Sequence, residues 1–540
     1  MKSRIKHLMC ALGLLVLLLC AVQPAFAKSD DPVLLELQTL LISSNNQDRT
    51  KAIELLTQSQ HELAFDIYGL LLEGKFFFNR TDNQLYLVDR AEAGQSALHF
   101  LDERDVVIER PRDFRRVALN NAQRTQIRRV MAQTGLTADS SKTRIKAVRQ
   151  MMGDPDPEAL SLIRAAYTSE TNDKVRDLMA VAIAIDTLTQ TDEAAQRDAI
   201  DTLAASLEPR ARNALNQFVS QTENASLKEL AEKGLIGIEQ KIKFYKGLET
   251  VYFGLSLGSV LVLAAIGLAI TFGVMGVINM AHGELIMIGA YTTFVIQQLM
   301  PNHIGLSVLV AIPAAFVVSG LVGIAIERGV IRFLYGRPLE TLLATFGISL
   351  VLQQAVRTIF SPLNKTVETP SWMSGMLEFN PVFAITLNRL YIIIFCLLVF
   401  FALLMILKRT ALGLQVRAVS QNRAMARAMG VRSERVDMMT FGLGSGVAGI
   451  AGVALSQITN VGPNLGQAYI IDSFMVVVFG GVGNIWGTLV AGMTLGVANK
   501  IMEPWAGAVL AKILVLVFII LFIQKKPRGL FPQRGRAAEG

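Results

Sequence analysis

The chain has 540 residues, a mean hydropathy of +0.42 and a formal net charge of +8. A positive mean hydropathy at this length excludes a single soluble globule and favours a membrane protein with an additional domain. Residues 248–540 hold 20 basic and 11 acidic residues, whereas residues 28–247 hold 29 and 33. The basic excess therefore belongs to the apolar half, where it reports orientation in a membrane and not a nucleic-acid partner.

The first 27 residues have the pattern of a secretory signal peptide. An apolar stretch at 8–19 precedes a small-residue cleavage pattern at Ala25–Ala27. The basic residues of the first region are Lys2, Arg4 and Lys6. The alternative interpretation is an uncleaved membrane helix. Cleavage would leave Cys396 as the one cysteine of the chain, so the exported part would fold without a disulfide.

Residues 28–247 are predicted to form an exported, mainly helical domain. Apolar residues at helical spacing indicate a helix within 31–64, and helices return within 143–219. Between them, the turn pair Asp82-Asn83 separates two strand-like runs in 76–88, which predicts a β-hairpin. No His or Cys cluster has metal-ligand spacing, and no catalytic constellation is present. The domain is therefore predicted to act in docking or as a scaffold.

Residues 248–540 contain nine apolar runs, which predict an all-α polytopic membrane domain with about eight to nine membrane helices. The runs lie at 251–275, 281–300, 305–327, 340–360, 389–408, 437–458, 469–481, 485–500 and 507–523. The run at 469–481 is shorter than the ~20 residues of a full span, so it is predicted to be broken or re-entrant. Export of the first domain places the entry outside, and nine crossings place the C-terminus inside, where most basic residues fall.

Three polar residues interrupt an otherwise apolar stretch at 267–291. They are Asn279, His282 and Glu284. Polar groups at membrane depth are costly unless they are satisfied, so these residues mark a permeation path or a break in a helix that the protein buries. Asn484, among glycines that permit an irregular backbone, and Trp486 are further candidates for the path. The alternatives are a structural partnership for Glu284, a simple turn at Asn484 and a membrane-interface anchor at Trp486.

The largest inside segment, 409–436, is predicted to contain a short amphipathic helix at Ala424–Met429. Ser420 or Asn422 can cap the start of this helix, and Gly430 suits its C-terminal end. A generic basic loop is the alternative interpretation.

Four segments of the apolar half resemble ABC permeases of the branched-chain amino acid type. They are Gly267–Tyr291, Arg409–Val431, Gly480–Gly492 and the ending Lys526–Pro532. The combination with an exported domain resembles the long-form permeases of urea ABC transporters. Gly276 stands where branched-chain members often carry a basic residue, which argues against an amino-acid substrate.

The resemblance implies a permease subunit of an ATP-driven importer in the bacterial inner membrane, with urea as substrate and branched-chain amino acids or other small amides as the alternative. The implied partners are a second permease, two ABC ATPase subunits, a periplasmic substrate-binding protein and the lipid bilayer, with no nucleic acid, cofactor or metal. The residues implied to couple the chain to its ATPase are Ala411, Gly413, Arg417, Ala418, Asn422, Ala426, Met429 and Gly430.

The chain lacks a G-x-x-x-x-G-K-[ST] loop, so it is not predicted to be an enzyme, and ATP hydrolysis is expected in its partners. A transmembrane receptor and a passive urea channel are the alternatives of a different class. A channel would have no use for the inside segment.

Overall fold

The computed structural model describes residues 31–532 except 44, 60, 62, 90, 93, 103, 109 and 153–156. The predicted signal peptide lies outside the described residues. The chain forms two compact units that divide between Gly237 and Ile238. This division and the predicted domain boundary at 247/248 both fall inside one continuous helix, Ala225–Met275.

The first unit contains a small antiparallel sheet whose strands pair in the order β4-β3-β2-β1-β5. The strands are β1 (Phe76–Asn79), β2 (Gln84–Leu87), β3 (Ser96–His99), β4 (Asp105–Val107) and β5 (Phe114–Arg116). The first two form the predicted hairpin, in which Asn83 takes a φ of 53° and the Asp82 carboxylate accepts a bond from the Gln84 amide. The sequence does not predict the other three strands, because strands of three or four residues carry little periodicity.

The remainder of the first unit is helical, as predicted. The helices are α1 (Pro32–Ile42), α2 (Asn46–Ser59), α3 (Ala64–Glu73), α4 (Asn121–Leu136), α5 (Ser141–Met151), α6 (Pro157–Tyr167), α7 (Asp173–Thr187), α8 (Glu193–Ala205) and α9 (Pro209–Gln221). One apolar core joins α1–α4 to the sheet, and a second joins the end of α4 to α5–α7. Polar N-caps fix several helix starts; Asn120, for example, forms a reciprocal capping box with Gln123.

The second unit is a bundle of apolar helices. They are α10 (Ala225–Met275, which begins in the first unit), α11 (His282–Leu299), α12 (Ile304–Gly329), α13 (Pro338–Phe360), α14 (Leu387–Arg409), α15 (Ala411–Gln421), α16 (Arg423–Ala428), α17 (Ser433–Ser456), α18 (Leu465–Gly480) and α19 (Ile485–Lys525). Between α13 and α14, β6 (Met376–Asn380) and β7 (Phe383–Thr386) form a hairpin.

Six helices of the described chain are long and apolar enough to cross a membrane, namely α10, α12, α13, α14, α17 and α19. Each of the nine predicted runs falls in a helix, and the last two join in α19. This helix breaks at Gly507, whose φ of 77° and ψ of 162° form a backbone conformation that essentially only glycine adopts. The 16 residues of α18 and the 18 of α11 span only ~24 and ~27 Å, less than the ~30 Å hydrocarbon core. The polytopic all-α prediction is confirmed, with fewer full-length spans than expected.

Helix α11 begins in the interior of the bundle, whereas Asn464, Gln467 and Ala468 at the start of α18 are exposed. His282 Nε2 lies 2.9 Å from the Ala264 carbonyl oxygen, and Ala264 stands 11 residues before the end of α10. Residues 276–281 therefore run back along α10 for about 16 Å. The start of α18 contacts the start of α11. A methyl group on Gly283 would lie 2.5 Å from the Gly466 carbonyl oxygen, and a methyl group on Gly466 would lie 2.4 Å from the Gly283 carbonyl oxygen.

Candidate functional site

The non-helical segment 276–281 links α10 to α11, and its residues Val277, Asn279 and Ala281 are buried. Gly276 ends α10 with a φ of 66°, and the Asn279 side-chain oxygen accepts a bond of 3.0 Å from the Ala281 amide. The hydroxyl of Thr345, on α13, accepts a bond of 3.1 Å from the Met280 amide. Irregular backbone at membrane depth is tolerated only where protein or a water-filled cavity satisfies its polar groups. The predicted break in the helix is therefore present, and α13 satisfies part of it.

Glu284, in the first turn of α11, is 1% exposed and turns toward α13. Its Oε1 accepts hydrogen bonds from Ser349 Oγ at 3.0 Å and from Gln353 Nε2 at 2.7 Å. Its Oε2 is buried and has no partner among the described residues. One oxygen of this carboxylate is thus held in place, while the other remains available to a ligand, a water molecule or a proton.

The face of α13 that meets Glu284 is a polar stripe that the sequence analysis missed. Its members are Thr341, Thr345, Ser349 and Gln353, all of them buried. Residues four positions apart share one face of a helix, so the spacing itself was the available signal. The stripe escapes notice because the rest of α13 is apolar and each polar residue is small or neutral.

His282 faces a different helix from Glu284. Its Nε2 bonds the Ala264 carbonyl oxygen of α10, and its Nδ1 is buried without a partner in the described structure. Residues two positions apart on a helix point in nearly opposite directions. The sequence places Asn279, His282 and Glu284 side by side; the structure brings all three to the start of α11 but separates their side chains, with the amide nitrogen of Asn279 also unpaired.

The start of α18 contributes to the same region. Asn464, which precedes α18, accepts a bond of 2.7 Å from Arg357 Nη2 of α13. Because Gly466 touches Gly283, the first turns of the two helices lie close together. The buried polar cluster, defined here as Asn279, His282, Glu284 and the α13 stripe, is therefore joined by the start of a second shortened helix.

Asn484 and Trp486 lie elsewhere in the bundle. Gly483 abuts Gly273, which is nine residues from Ala264 and so roughly 13 Å along α10 from the His282 contact. The Asn484 side chain accepts a bond of 3.1 Å from the Gly487 amide and donates one of 3.2 Å to the Phe531 carbonyl oxygen. Asn484 thus caps α19 and contacts the C-terminal segment. This arrangement agrees with the alternative interpretation of Asn484 as a turn residue. Trp486 is half exposed and packs edge-on against Phe400 at 5.1 Å.

Segment 409–436 contains two short helices, α15 and α16. Asn422 caps α16 by accepting a bond of 2.9 Å from the Met425 amide, and Gly430 follows the helix with a φ of 85°. This agrees with the predicted cap and glycine end. The preceding helix, α15, was not predicted; Thr410 caps it, and Gly413 is pressed so closely against Leu407 that a side chain has no room.

The residues assigned to coupling separate into two groups. Ala411, Arg417, Asn422, Met429 and Gly430 are exposed, and Ala418 is half-buried. Gly413 and Ala426 are buried, so they hold the segment together and do not face a partner. The exposed apolar side chains Leu414, Met425 and Met429 form a surface that a partner could cover, and Met429 is 79% exposed. We call these three residues the docking surface.

No group of three His, Cys, Asp or Glu side chains in the described part of the chain is placed to hold a metal ion. The arrangement as a whole is that of a membrane bundle with a buried polar cluster and a short surface helix pair. It positions polar side chains inside the bundle.

Relatives of known function match the second unit. The family model described as "Branched-chain amino acid transport system / permease component" matches residues 250–523. The high-affinity branched-chain amino acid transport system permease protein BraD of Pseudomonas aeruginosa is 31% identical over 298 residues, which cover 53% of this chain and 96% of the relative. LivH of Escherichia coli, which carries the same description, is 31% identical over 299 residues, with the same coverage.

A shorter match, 29% identical over 110 residues, links 19% of the chain to 34% of the ribose import permease protein RbsC of Escherichia coli. No solved structure matches the chain. The family model covers just over half of the chain, and the branched-chain permeases match over nearly their whole length. The chain therefore belongs to the branched-chain amino acid transport system permease family.

Proposed function

We propose that this chain is one of two permease subunits of an ATP-driven importer and that the buried polar cluster lies on the path of its substrate. The observation that carries the proposal is the meeting of two shortened helices, α11 and α18, at Gly283 and Gly466. Discontinuous helices with polar groups at their starts are a recurrent way of building a substrate site inside a membrane. The family membership supports the same conclusion.

The energy for transport is supplied by partner ATPases. The chain has no phosphate-binding loop of the G-x-x-x-x-G-K-[ST] type. The docking surface would lie on the cytoplasmic side and bind an ATPase subunit, and the C-terminus would lie on that side as well. The excess of basic residues in 409–436 supports this orientation, because short cytoplasmic loops are enriched in Lys and Arg.

The preferred substrates are branched-chain amino acids, since the most extensively matched relatives are named as permeases for them. The unpaired Glu284 Oε2 can accept bonds from an ammonium group, and the Asn279 amide can donate to a carboxylate. Glycine at position 276 no longer argues against this class. Its φ of 66° is a conformation that glycine adopts without strain, so backbone geometry accounts for the residue there.

Urea is the second candidate. The family model matches residues 250–523 and leaves the first unit uncovered, and an exported domain ahead of the permease is the feature that suggests the long-form urea permeases. Urea is neutral and rich in hydrogen-bond donors and acceptors. Asn279 and His282 would therefore bind it through hydrogen bonds, without a fixed charge.

Uptake measurements separate the two candidates. Cells with and without this gene are given labelled leucine or labelled urea at micromolar concentration, with the other compound as competitor. Saturable leucine uptake that requires the gene, depends on ATP and ignores urea would establish the amino-acid importer. The converse pattern would establish the urea importer, and no gene-dependent uptake of either would overturn the assignment to these substrates.

We also propose that the first unit is periplasmic and helps to receive the substrate-binding protein. The proposal rests on the signal-like residues 1–27 and on the absence of a catalytic constellation in residues 28–247. Deleting residues 28–224, up to the start of α10, should abolish capture of the binding protein by the assembled transporter. Unchanged capture would refute this role.

A further inference from the structure

Arg423, the first residue of α16, makes contacts with two other elements. Its two terminal nitrogens each lie 2.8 Å from a different oxygen of Asp437, which belongs to α17. Its guanidinium also stacks 4.2 Å above the ring of Tyr335, and one of its nitrogens donates to the Tyr335 hydroxyl. Tyr335 lies in the connection between α12 and α13. One side chain therefore ties α16 to the start of α17 and to that connection.

Burial makes this contact costly to open. The side chain of Asp437 is 4% exposed and that of Arg423 is 25% exposed. Removing one partner of a buried, bidentate ion pair leaves the other charge without compensation. Glu327, in the last turn of α12, is a second buried carboxylate nearby, and its Oε2 has no partner among the described residues. Separation of Arg423 from Asp437 would leave two carboxylates together in a poorly solvated place.

Further contacts bind α15 and α16 to α17. Arg427 Nε donates a bond of 2.6 Å to Ser433 Oγ. Val416 and Ala426 share an apolar cluster with Val436 of α17. The pair of short helices is thus fixed to the start of α17 by an ion pair, a charge-assisted hydrogen bond and apolar packing.

The far half of α17 touches α11 through its backbone. A methyl group on Gly452 would lie 2.0 Å from the Ile286 carbonyl oxygen, and one on Gly289 would lie 2.1 Å from that of Gly449. Two helices in such close contact move together, because a packed interior deforms little. A displacement of α17 must therefore reach α11, whose first turn carries Glu284.

We propose that Arg423, Asp437 and Tyr335 form a clamp that makes α16 move as one body with α17 and the α12–α13 connection, so that a displacement of the docking surface is passed to the buried polar cluster. The clamp rests on the proposed function, since it needs an ATPase partner to move α16. Arg423 is a positioning residue in this scheme. It neither touches the substrate nor forms the docking surface.

The test uses the complete transporter reconstituted in lipid vesicles with its binding protein. Arg423→Ala is compared with wild type and with Arg337→Ala, which removes an exposed arginine of the α12–α13 connection from its pair with Glu340. Four quantities are measured: ATPase copurification, basal ATP hydrolysis, its stimulation by loaded binding protein, and uptake. Arg423→Ala should retain ATPase copurification and basal ATP hydrolysis. It should reduce uptake per ATP hydrolysed by about tenfold, which is within the usual range of coupling between sites. Arg337→Ala should resemble wild type.

Arg423→Lys separates geometry from charge. Lysine keeps the positive charge but cannot bond both carboxylate oxygens in one plane or stack flat on Tyr335, so it should restore assembly fully and coupling only in part. Coupled uptake that is unchanged in Arg423→Ala would overturn the clamp. Loss of ATPase copurification in both variants would also overturn it, because Arg423 would then only shape the docking surface. A wild-type chain that binds no ATPase and transports nothing would refute the proposed function itself.

A second measurement does not depend on these variants. Spin labels at the exposed positions Ala424 and Met439 report the distance between α16 and α17 in the wild-type clamp. The distance distribution should be the same in the nucleotide-free and ATP-bound transporter. A distribution that changes with nucleotide would show that α16 moves independently of α17, and would overturn the proposal.

Discussion

The contact between the starts of α11 and α18 gives the sharpest prediction. In Gly466→Ala the new methyl group would lie 2.4 Å from the Gly283 carbonyl oxygen and 2.9 Å from the Glu284 amide nitrogen, and its three nearest neighbours are backbone atoms. An ordinary contact begins near 3.4 Å, so the two helix starts must separate by about 1 Å. Overpacking of this kind costs about 1–3 kcal/mol. It would also displace the first turn of α11, which carries Glu284.

The matched control is Gly347→Ala. Gly347 lies within α13 and has no atom within 4 Å of the position that a methyl group would take. Alanine there removes the flexibility of glycine in a helix and should stabilise the fold by roughly 0.5–1 kcal/mol. The assay is unfolding of the purified chain in mixed micelles, together with substrate uptake. Gly466→Ala should be less stable than wild type and transport poorly. Gly347→Ala should be at least as stable as wild type and transport normally. Equal stability and equal uptake in the two variants would refute the close contact.

Three further predictions follow from individual side chains. Glu284→Gln should retain the bonds to α13 and the stability of the bundle but lower leucine uptake by at least about tenfold if the free oxygen binds an ammonium group; unchanged uptake would assign Glu284 a structural role. Arg144 donates hydrogen bonds of 2.8 and 3.0 Å to Glu170. Arg144→Ala should therefore destabilise the first unit by about 2–3 kcal/mol, measured as faster hydrogen exchange. Arg164→Ala, which removes an exposed ion pair, should have little effect. Met429→Asp, on the docking surface, should reduce ATPase copurification and leave the bundle folded; normal copurification would place the docking site elsewhere.

The same ion pair predicts a pH dependence for the first unit. Burial acts to raise the pKa of Glu170, but bonds from the Arg144 guanidinium and the Asn172 amide outweigh it and hold that pKa below its usual value of 4.5. A carboxylate whose pKa is lower in the folded state stabilises the fold above its usual pKa, and this contribution is lost as the pH falls through the folded value. Hydrogen exchange measured from pH 6 downward should show the loss in wild type and a smaller loss in Arg144→Ala. Equal losses would contradict the assignment.

Much of the membrane half follows from the sequence because hydrophobic burial in a bilayer leaves a long, local signal. Every predicted apolar run lies in a helix, and even the short element at 469–481 is short in the structure. The cap at Asn422 and the stop at Gly430 are equally local, since each depends on the conformation of a few neighbouring residues. The resemblance to branched-chain amino acid permeases also rests on local motifs.

The site could be foreseen only in part. Asn279, His282 and Glu284 are conspicuous because they interrupt an apolar stretch, but their directions depend on which helices pack beside them. The α13 stripe, which holds Glu284, consists of small neutral residues that become informative only once α13 is placed against α11. Arg423 and Asp437 are separated by a helix end and a turn, so their pairing is decided by how α16 folds back on α17.

The sequence by itself determined the division into a polar and an apolar half, the positions of the long apolar helices and the family, because periodicity, capping and hydropathy act over a few neighbouring residues. The tertiary structure decided that α11 begins inside the bundle and touches the start of α18 at Gly283 and Gly466, that Asn484 caps a helix, and that Arg423 contacts Asp437 and Tyr335. These features depend on contacts between residues far apart in the chain, which no local pattern encodes.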